Sequence, residues 1–314
     1  MCLELPPWLG PAAQQLAAMV DAGQLPHALL LHGPAGIGRE WLARWLAGRV
    51  LDAPALARGD AAAGHPDLLR LTPPPEKQVL PVDQVRELVE FLQLTAHQGG
   101  AKVGLLVPAE AMNRAAANSL LKTLEEPPPG SVILLVSAAP SRLPATVLSR
   151  CHRLRLPVPS AAQGQAWLSA QEPGVDWAPL LALAGNAPLR AMRLREAEFD
   201  AAVAELQEDL GALQQGREST VAVARRWARL PGGDWLDWLY RRMAGEIRSA
   251  LGAGAEMRTG HLQNAGDGLN MEPLFACLRE IAELRRLQGS GINMELALAG
   301  LLARWRAAAE TLPG

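Results

Sequence analysis

"HGPAGIGRE", residues 32–40, governs how the rest of the chain is read. Gly33, four residues and Gly38 match the first half of the phosphate-binding loop pattern G-x-x-x-x-G-K-[ST]. The pattern then asks for Lys and for Ser or Thr, and this chain has Arg39 and Glu40. The flanks give the glycines their meaning. "HALLLHG" (27–33) is a short apolar run of the kind that forms a buried parallel strand. "REWLARWLAGRVL" (39–51) stacks Trp41, Leu42, Trp45 and Leu46 on one helical face. Strand, glycine loop and helix is the context a phosphate-binding loop requires.

Working outward, "PAAQQLAAMVDAG" (11–23) places Leu16, Met19 and Val20 at helical spacing and stops at Gly23. "GHPDLLRL" (64–71), "AKVGLLV" (101–107) and "SVILLVSA" (131–138) read as further strands. Between them, "PVDQVRELVEFLQ" (81–93) carries a Val85, Leu88, Val89, Leu92 stripe. "NRAAANSLLKTLEE" (113–126) turns Ala116, Leu120, Leu121 and Leu124 inward and is stopped by Pro127–Pro129. "TVLSRCHRLRL" (146–156) predicts a short helix and then a strand. Alternation of this kind predicts an α/β fold with a parallel sheet covered on both faces. From Pro157 onward only helical stripes remain, with boundaries expected near 157–159 and near 200.

Bulk properties narrow the function. A chain of 314 residues exceeds one core and predicts two or three domains. Its net charge of −2 supplies no global basic field for DNA, so nucleic-acid contact must be local or made by a larger assembly. Of 30 basic Lys and Arg residues only Lys77, Lys102 and Lys122 are lysines. Cys2, Cys151 and Cys277 are far apart with no C-x-x-C, which disfavours a disulfide framework or a zinc site and fits a reducing cytosol. No run approaches the ~18 apolar residues that span a bilayer. A soluble cytoplasmic protein is expected.

Four stretches now stand in one order: "LPHALLLHGP", "GHPDLLRL", "AKVGLLVPAEAMNRAAANSLLKTLEEPP" and "LSRC". On these residues, the third stretch above all, the chain resembles the AAA+ clamp-loader subunits of bacterial DNA polymerase III. The likeness covers residues 1–156, and continues in "LALAGNAPLRAM" (181–192) and "GINMELALAGLLARW" (291–305). It implies a P-loop AAA+ domain over 1–157, a helical lid over 158–201 and an all-α collar domain over 202–314. It further implies a five-subunit ring with delta and gamma/tau subunits, which places a sliding clamp on primed DNA as part of the polymerase III holoenzyme.

Arg39 keeps the loop's charge, but its planar fork is not equivalent to a lysine ammonium. Glu40 replaces the hydroxyl that would hold Mg²⁺. A like charge about 4 Å from a phosphate costs on the order of 4 kcal/mol at an effective dielectric near 20. The helix N-terminus returns only about 0.3–1 kcal/mol. The resemblance also asks for Asp-Glu after the third strand, and those positions are Val107 and Pro108. Glu110 is near in sequence but past the strand end, and takes part only if the register slips by three. The expectation is a degenerate site with no functional cofactor and no metal, in a subunit that does not hydrolyse ATP.

Arg150 is the expected functional residue. It lies in Ser149-Arg150-Cys151, the Ser-Arg-Cys motif of the family, whose arginine points at ATP held by a neighbouring subunit. Outside that motif, a lone loop arginine is most simply a surface ion pair. The chain would thus be a stator lending an arginine finger in trans to a gamma/tau site. The alternative is a self-sufficient gamma/tau-type ATPase, which needs the missing Lys, Ser/Thr and acids. A DNA-binding adaptor would need a basic face.

Other residues stay open. Ser137 is either a polar sensor or a backbone partner, and Arg190 either a lid sensor or a structural ion pair. Cys151 reads as a small buried apolar residue. His27, His65, His97 and His152 read as core or capping groups. Many relatives carry a four-cysteine zinc module after the P-loop helix; residues 50–66 here contain no cysteine, so a simpler loop without zinc is expected. Trp235 and Trp238 read as helix core or as an interface, and Arg225, Arg226 and Arg229 as a solvated helix face.

Overall fold

A computed structural model describes residues 5–57, 64–74, 79–97, 100–230, 233–258, 272–287 and 292–309. Cys2, Lys77 and residues 58–63 of the expected zinc-free loop lie outside the described residues. The chain divides into two compact units, one up to Ala197 and one from Glu198.

The first unit begins with a 3₁₀ turn, Pro7–Leu9, and helix α1, Gly10–Asp21. Strand β1 (Ala28–His32) leads through the glycine loop into α2 (Arg39–Val50) and the one-turn α3 (Pro54–Ala57). Then come β2 (Leu68–Leu71), α4 (Val82–Gln93), β3 (Lys102–Leu106), α5 (Arg114–Glu125) and β4 (Ser131–Ser137). The one-turn α6 (Ala145–Leu148) and β5 (His152–Arg155) complete the sheet. Three helices follow: α7 (Ala161–Gln171), α8 (Trp177–Ala184) and α9 (Pro188–Glu196).

All pairings in the five-stranded sheet are parallel, and the order is β2-β3-β4-β1-β5. The two-residue period of a strand sorts the core. Leu29, Leu31, Leu134 and Val136 face α1 and α2, while Ala28, Leu30, Ile133 and Leu135 face α4 and α5. Both faces are therefore dry, which is why β1 and β4 read as unbroken apolar runs rather than alternating ones. The α4 stripe buries Val85, Leu88 and Leu92, and α5 starts where the Asn113 side chain accepts the Ala116 N–H at 2.8 Å. Ser160 and Gln163 form a capping box at the start of α7.

β2 is shorter than its sequence signal. Residues His65–Asp67 form a turn, in which the Asp67 N–H donates to His65 Nδ1 at 3.1 Å. Asp67 is 1% exposed and Lys102 5%, and they pair at 3.0 Å at the amino ends of β2 and β3. The His97 N–H donates to both Asp67 oxygens, and the Lys102 ammonium lies 4.1 Å from the centre of the Phe91 ring.

The second unit is all helical: α10 (Phe199–Gln214), α11 (Thr220–Trp227), α12 (Asp234–Arg258), α13 (Glu272–Leu287) and α14 (Met294–Ala309). The expected 201/202 boundary lies inside α10. Trp235 and Trp238 are 3% and 4% exposed and meet the buried Trp227 edge-on at 6.1 and 6.3 Å, so they are core. Arg225 and Arg226 on α11, and Arg229 just past its end, are all exposed, as a solvated face requires. Arg225 pairs with Glu295 at 3.1 Å and Arg226 with Asp209 at 2.5 Å. Opposite charges on helices α10 and α14 were close at hand, and tertiary packing brought them to α11. Among the described residues no helix is long and apolar enough to cross a membrane.

Candidate functional site

The glycine loop is clamped from three sides. The Trp8 indole N–H donates to the Ile37 carbonyl at 2.8 Å, from the 3₁₀ turn. The Gly33 N–H donates to the Ser137 carbonyl at the end of β4, at 3.3 Å. The third clamp is the start of α9, whose Leu189 N–H donates to the Gly36 carbonyl at 3.0 Å. Gly36 has φ +86°, and a Cβ there would stand 2.5 Å from the Arg190 Cβ and 2.7 Å from its backbone nitrogen. Only glycine allows this approach. Arg190 is 6% exposed, so its place is in the seam between loop and α9.

Arg39 and Glu40 open α2 and diverge. Burial holds the Arg39 guanidinium below the ordinary arginine range, Arg193 lowers it further, and the Glu110 and Glu40 carboxylates oppose the shift. Glu40 does not face the loop as a bare charge. Its Oε1 accepts from Arg70 of β2 (2.7 Å to Nη2, 3.0 Å to Nε) and from Arg44 (2.9 Å to Nη2, 3.1 Å to Nε). This corrects the repulsion expected from the sequence: two guanidiniums neutralise the carboxylate. Position 40 still offers a carboxylate and no hydroxyl.

Val107 follows β3 directly and is half-buried, and Pro108 is exposed. Glu110 sits on the 3₁₀ turn Ala109–Ala111, and its carboxylate reaches back to the sheet. Its Oε1 accepts the Ala138 and Ala139 N–H groups at 2.8 and 3.2 Å. Its Oε2 and the Arg39 Nη1 are both buried without a protein partner. Ser137 is fully buried, and its Oγ accepts the Ala139 N–H at 3.2 Å, a backbone partner as its second reading had it.

A cleft of about 540 Å³ lies over these groups, between the loop, the ends of β3 and β4, and helices α7 and α9. Arg39 and Arg193 supply its cations, and Trp41, Trp167, Val107 and Met192 much of its apolar wall. Trp167 meets Trp41 edge-on at 6.2 Å and Trp8 at 5.4 Å. Sequence reading missed Trp167 and Arg193. Both sit on helices whose stripes were visible, but whose placement over the loop depends on tertiary packing.

Arg150 stands elsewhere. It precedes β5, and Glu125 closes α5 just before β4, so both lie at the amino ends of the strands. The glycine loop and cleft lie at the carboxyl ends. A five-residue strand such as β1 spans about 15 Å, which separates Arg150 from its own chain's cleft. The Arg150 Nε and Nη2 meet Glu125 Oε1 at 2.8 and 2.5 Å. Its Nη1 donates to the Thr146 carbonyl at 3.0 Å and to Ser149 Oγ at 3.2 Å. Cys151 is 9% exposed, and burial pushes its thiol up to about 11, as suits a packed apolar residue. His27 bonds the Leu124 carbonyl at 3.0 Å, and His152 is exposed. Among the described residues no three His, Cys, Asp or Glu side chains gather as a metal site.

A parallel sheet with a glycine loop after β1, closed over by a small helical segment, defines a P-loop domain of the AAA+ class. A family described as "DNA polymerase III, delta subunit" matches residues 9–160. The delta' subunit of DNA polymerase III from Pseudomonas aeruginosa is 37% identical over 98% of each chain. The tau subunit from Escherichia coli is 32% identical over 45% of this chain and 23% of its own length. A solved gamma subunit-related protein from Thermotoga maritima superposes over 94% of this chain and 98% of its own, with TM-score 0.45 and 18% identity. The chain belongs to the delta' family of DNA polymerase III clamp-loader subunits.

Proposed function

We propose that this chain is an ATPase-inactive stator of the clamp loader, acting in the cytoplasm, and that Arg150 serves an ATP site on a neighbouring gamma/tau subunit. One observation carries the reading: Arg150 lies at the sheet edge opposite its own cleft, so any phosphate it meets belongs to another molecule. The physical requirement is a permanently charged planar donor that grips phosphoryl oxygens, which arginine meets and lysine does not. The chain's own cleft supports the other half. It has Arg39 and Glu40 for Lys and Ser/Thr, and Val107 and Pro108 for the strand-end acids.

The partners in this reading are gamma/tau and delta subunits, with the sliding clamp and primed DNA met through the assembled ring. The P-loop domain covers 1–157. The lid is read over 158–201 and the collar over 202–314, and the division of the chain into two compact units after Ala197 supports a break near the second boundary.

The test is made on the purified chain and on the reconstituted clamp loader. Calorimetry of the chain alone is expected to give no saturable ATP binding at tens of micromolar. Arg150→Ala is expected to assemble normally and to slow clamp- and DNA-stimulated hydrolysis at the adjoining site, by about 10³-fold or more on the scale of other arginine fingers. A stoichiometric ATP isotherm would overturn the dead-site half, and unchanged turnover the finger half.

A further inference from the structure

We infer that Glu125 is a latch on Arg150, and that the neighbour's ATP must displace it before the guanidinium can act. The inference rests on the finger reading above.

It starts from the donor inventory of one side chain. A guanidinium has five N–H donors and no acceptor. In this chain four are committed. The Nε–H and one Nη2–H face Glu125 Oε1 at 2.8 and 2.5 Å. The Nη1 donors go to the Thr146 carbonyl and Ser149 Oγ, at 3.0 and 3.2 Å. One Nη2–H is left. A two-pronged grip on a phosphoryl group needs two donors, so at least one existing partner has to yield.

The partners are not equal. Thr146 and Ser149 lie within four residues of Arg150 and travel with it, and both are neutral. Glu125 belongs to a different helix, α5, and it alone carries charge. It also holds the Nε/Nη2 edge, the fork that matches a carboxylate or phosphate best. A phosphate arriving there meets a pair that is already neutral, and the two anions compete for one cation. The pair is open to such exchange: the side chains are 35% and 51% exposed, so water and ions reach both. Proximity in sequence hides the relation, since 25 residues separate the two.

The latch has a mechanical meaning. In the free subunit Glu125 keeps the guanidinium folded onto the edge of its own sheet. Exchange of carboxylate for phosphate makes the engaged state depend on nucleotide next door, so ring closure reports occupancy.

The experiment uses the reconstituted complex with native chain, Glu125→Gln, Arg150→Ala and the double variant. Both the ATP concentration for half-maximal stimulated turnover and the maximal rate are recorded. An exposed ion pair of this kind shifts an equilibrium by at most about fivefold. Glu125→Gln keeps the size and removes the competing charge. The half-maximal ATP concentration should fall by about two- to fivefold, and the shift should vanish in the Arg150→Ala background. A rise in that concentration means that Glu125 supports the engaged arginine, and overturns the latch. No shift, with Arg150→Ala still slow, overturns the latch and leaves the finger standing. If Arg150→Ala itself turns over normally, the finger reading falls and the latch with it.

Discussion

The seam between Gly36 and Arg190 offers a direct measure of how firmly helix α9 is seated on the loop. Gly36→Ala adds one methyl group at φ +86°, 2.5 Å from the Arg190 Cβ and 2.7 Å from its backbone nitrogen. Neither atom is the end of a flexible side chain, so α9 as a whole has to retreat. Three costs follow: about 1–2 kcal/mol for alanine in the left-handed region, about 1 kcal/mol for the Leu189-to-Gly36 hydrogen bond, and about 1–3 kcal/mol for overpacking. Gly174 supplies the control. It has φ +88° and nothing within 4 Å of an added Cβ, so Gly174→Ala bears the conformational cost alone. At about 2–4 °C per kcal/mol for a unit of this size, Gly36→Ala should lower Tm by roughly 6–24 °C and Gly174→Ala by roughly 2–8 °C. Hydrogen exchange should also show Pro188–Glu196 losing protection in the first variant only. Equal losses in the two variants, with α9 protection intact, would refute the claim that the helix is seated on the loop.

Two further outcomes are expected. Breaking the buried Asp67–Lys102 pair by either Asp67→Asn or Lys102→Met should cost about 3–5 kcal/mol in urea unfolding, because a buried charge loses its partner. The double variant should cost clearly less than the sum, and strict additivity would show that the pair is not coupled. His32 is held below its ordinary pKa by burial and then by Arg155, Arg153 and Arg39, so the folded chain resists its protonation. Its contribution is present above the unfolded value of about 6.5 and is lost as pH falls toward the lowered folded value. Urea midpoints at pH 7.5 and 5.5 should therefore differ less in His32→Gln than in the native chain, and an identical difference would exclude this origin.

The elements of the first unit were legible because both faces of the sheet are buried. β1, β3 and β4 became unbroken apolar runs, and their helices carried clear stripes. Strand order was not legible, since β1 sits between β4 and β5 and nothing in its own residues names those neighbours. The glycine loop was visible from spacing alone, yet the state of Glu40 was not. Its partner Arg70 is 30 residues away and becomes adjacent only when β2 joins the sheet. Glu125 was in plain view within the most specific motif, but its bond to Arg150 depends on α5 and α6 packing together. Asp67 and Lys102 carried no periodic signal, because one polar pair at the strand ends leaves no pattern. The tryptophans of the second unit were read by their spacing, and packing resolved that reading in favour of core.

The pairing of Glu40 has a consequence for redesign. That carboxylate takes Arg70 and Arg44 as partners. Placing Thr at position 40 would leave both guanidiniums without their acid while adding none beside Val107. The start of α2 is thus tied to β2 through charge, and a change at position 40 is felt at the sheet edge as well as in the loop.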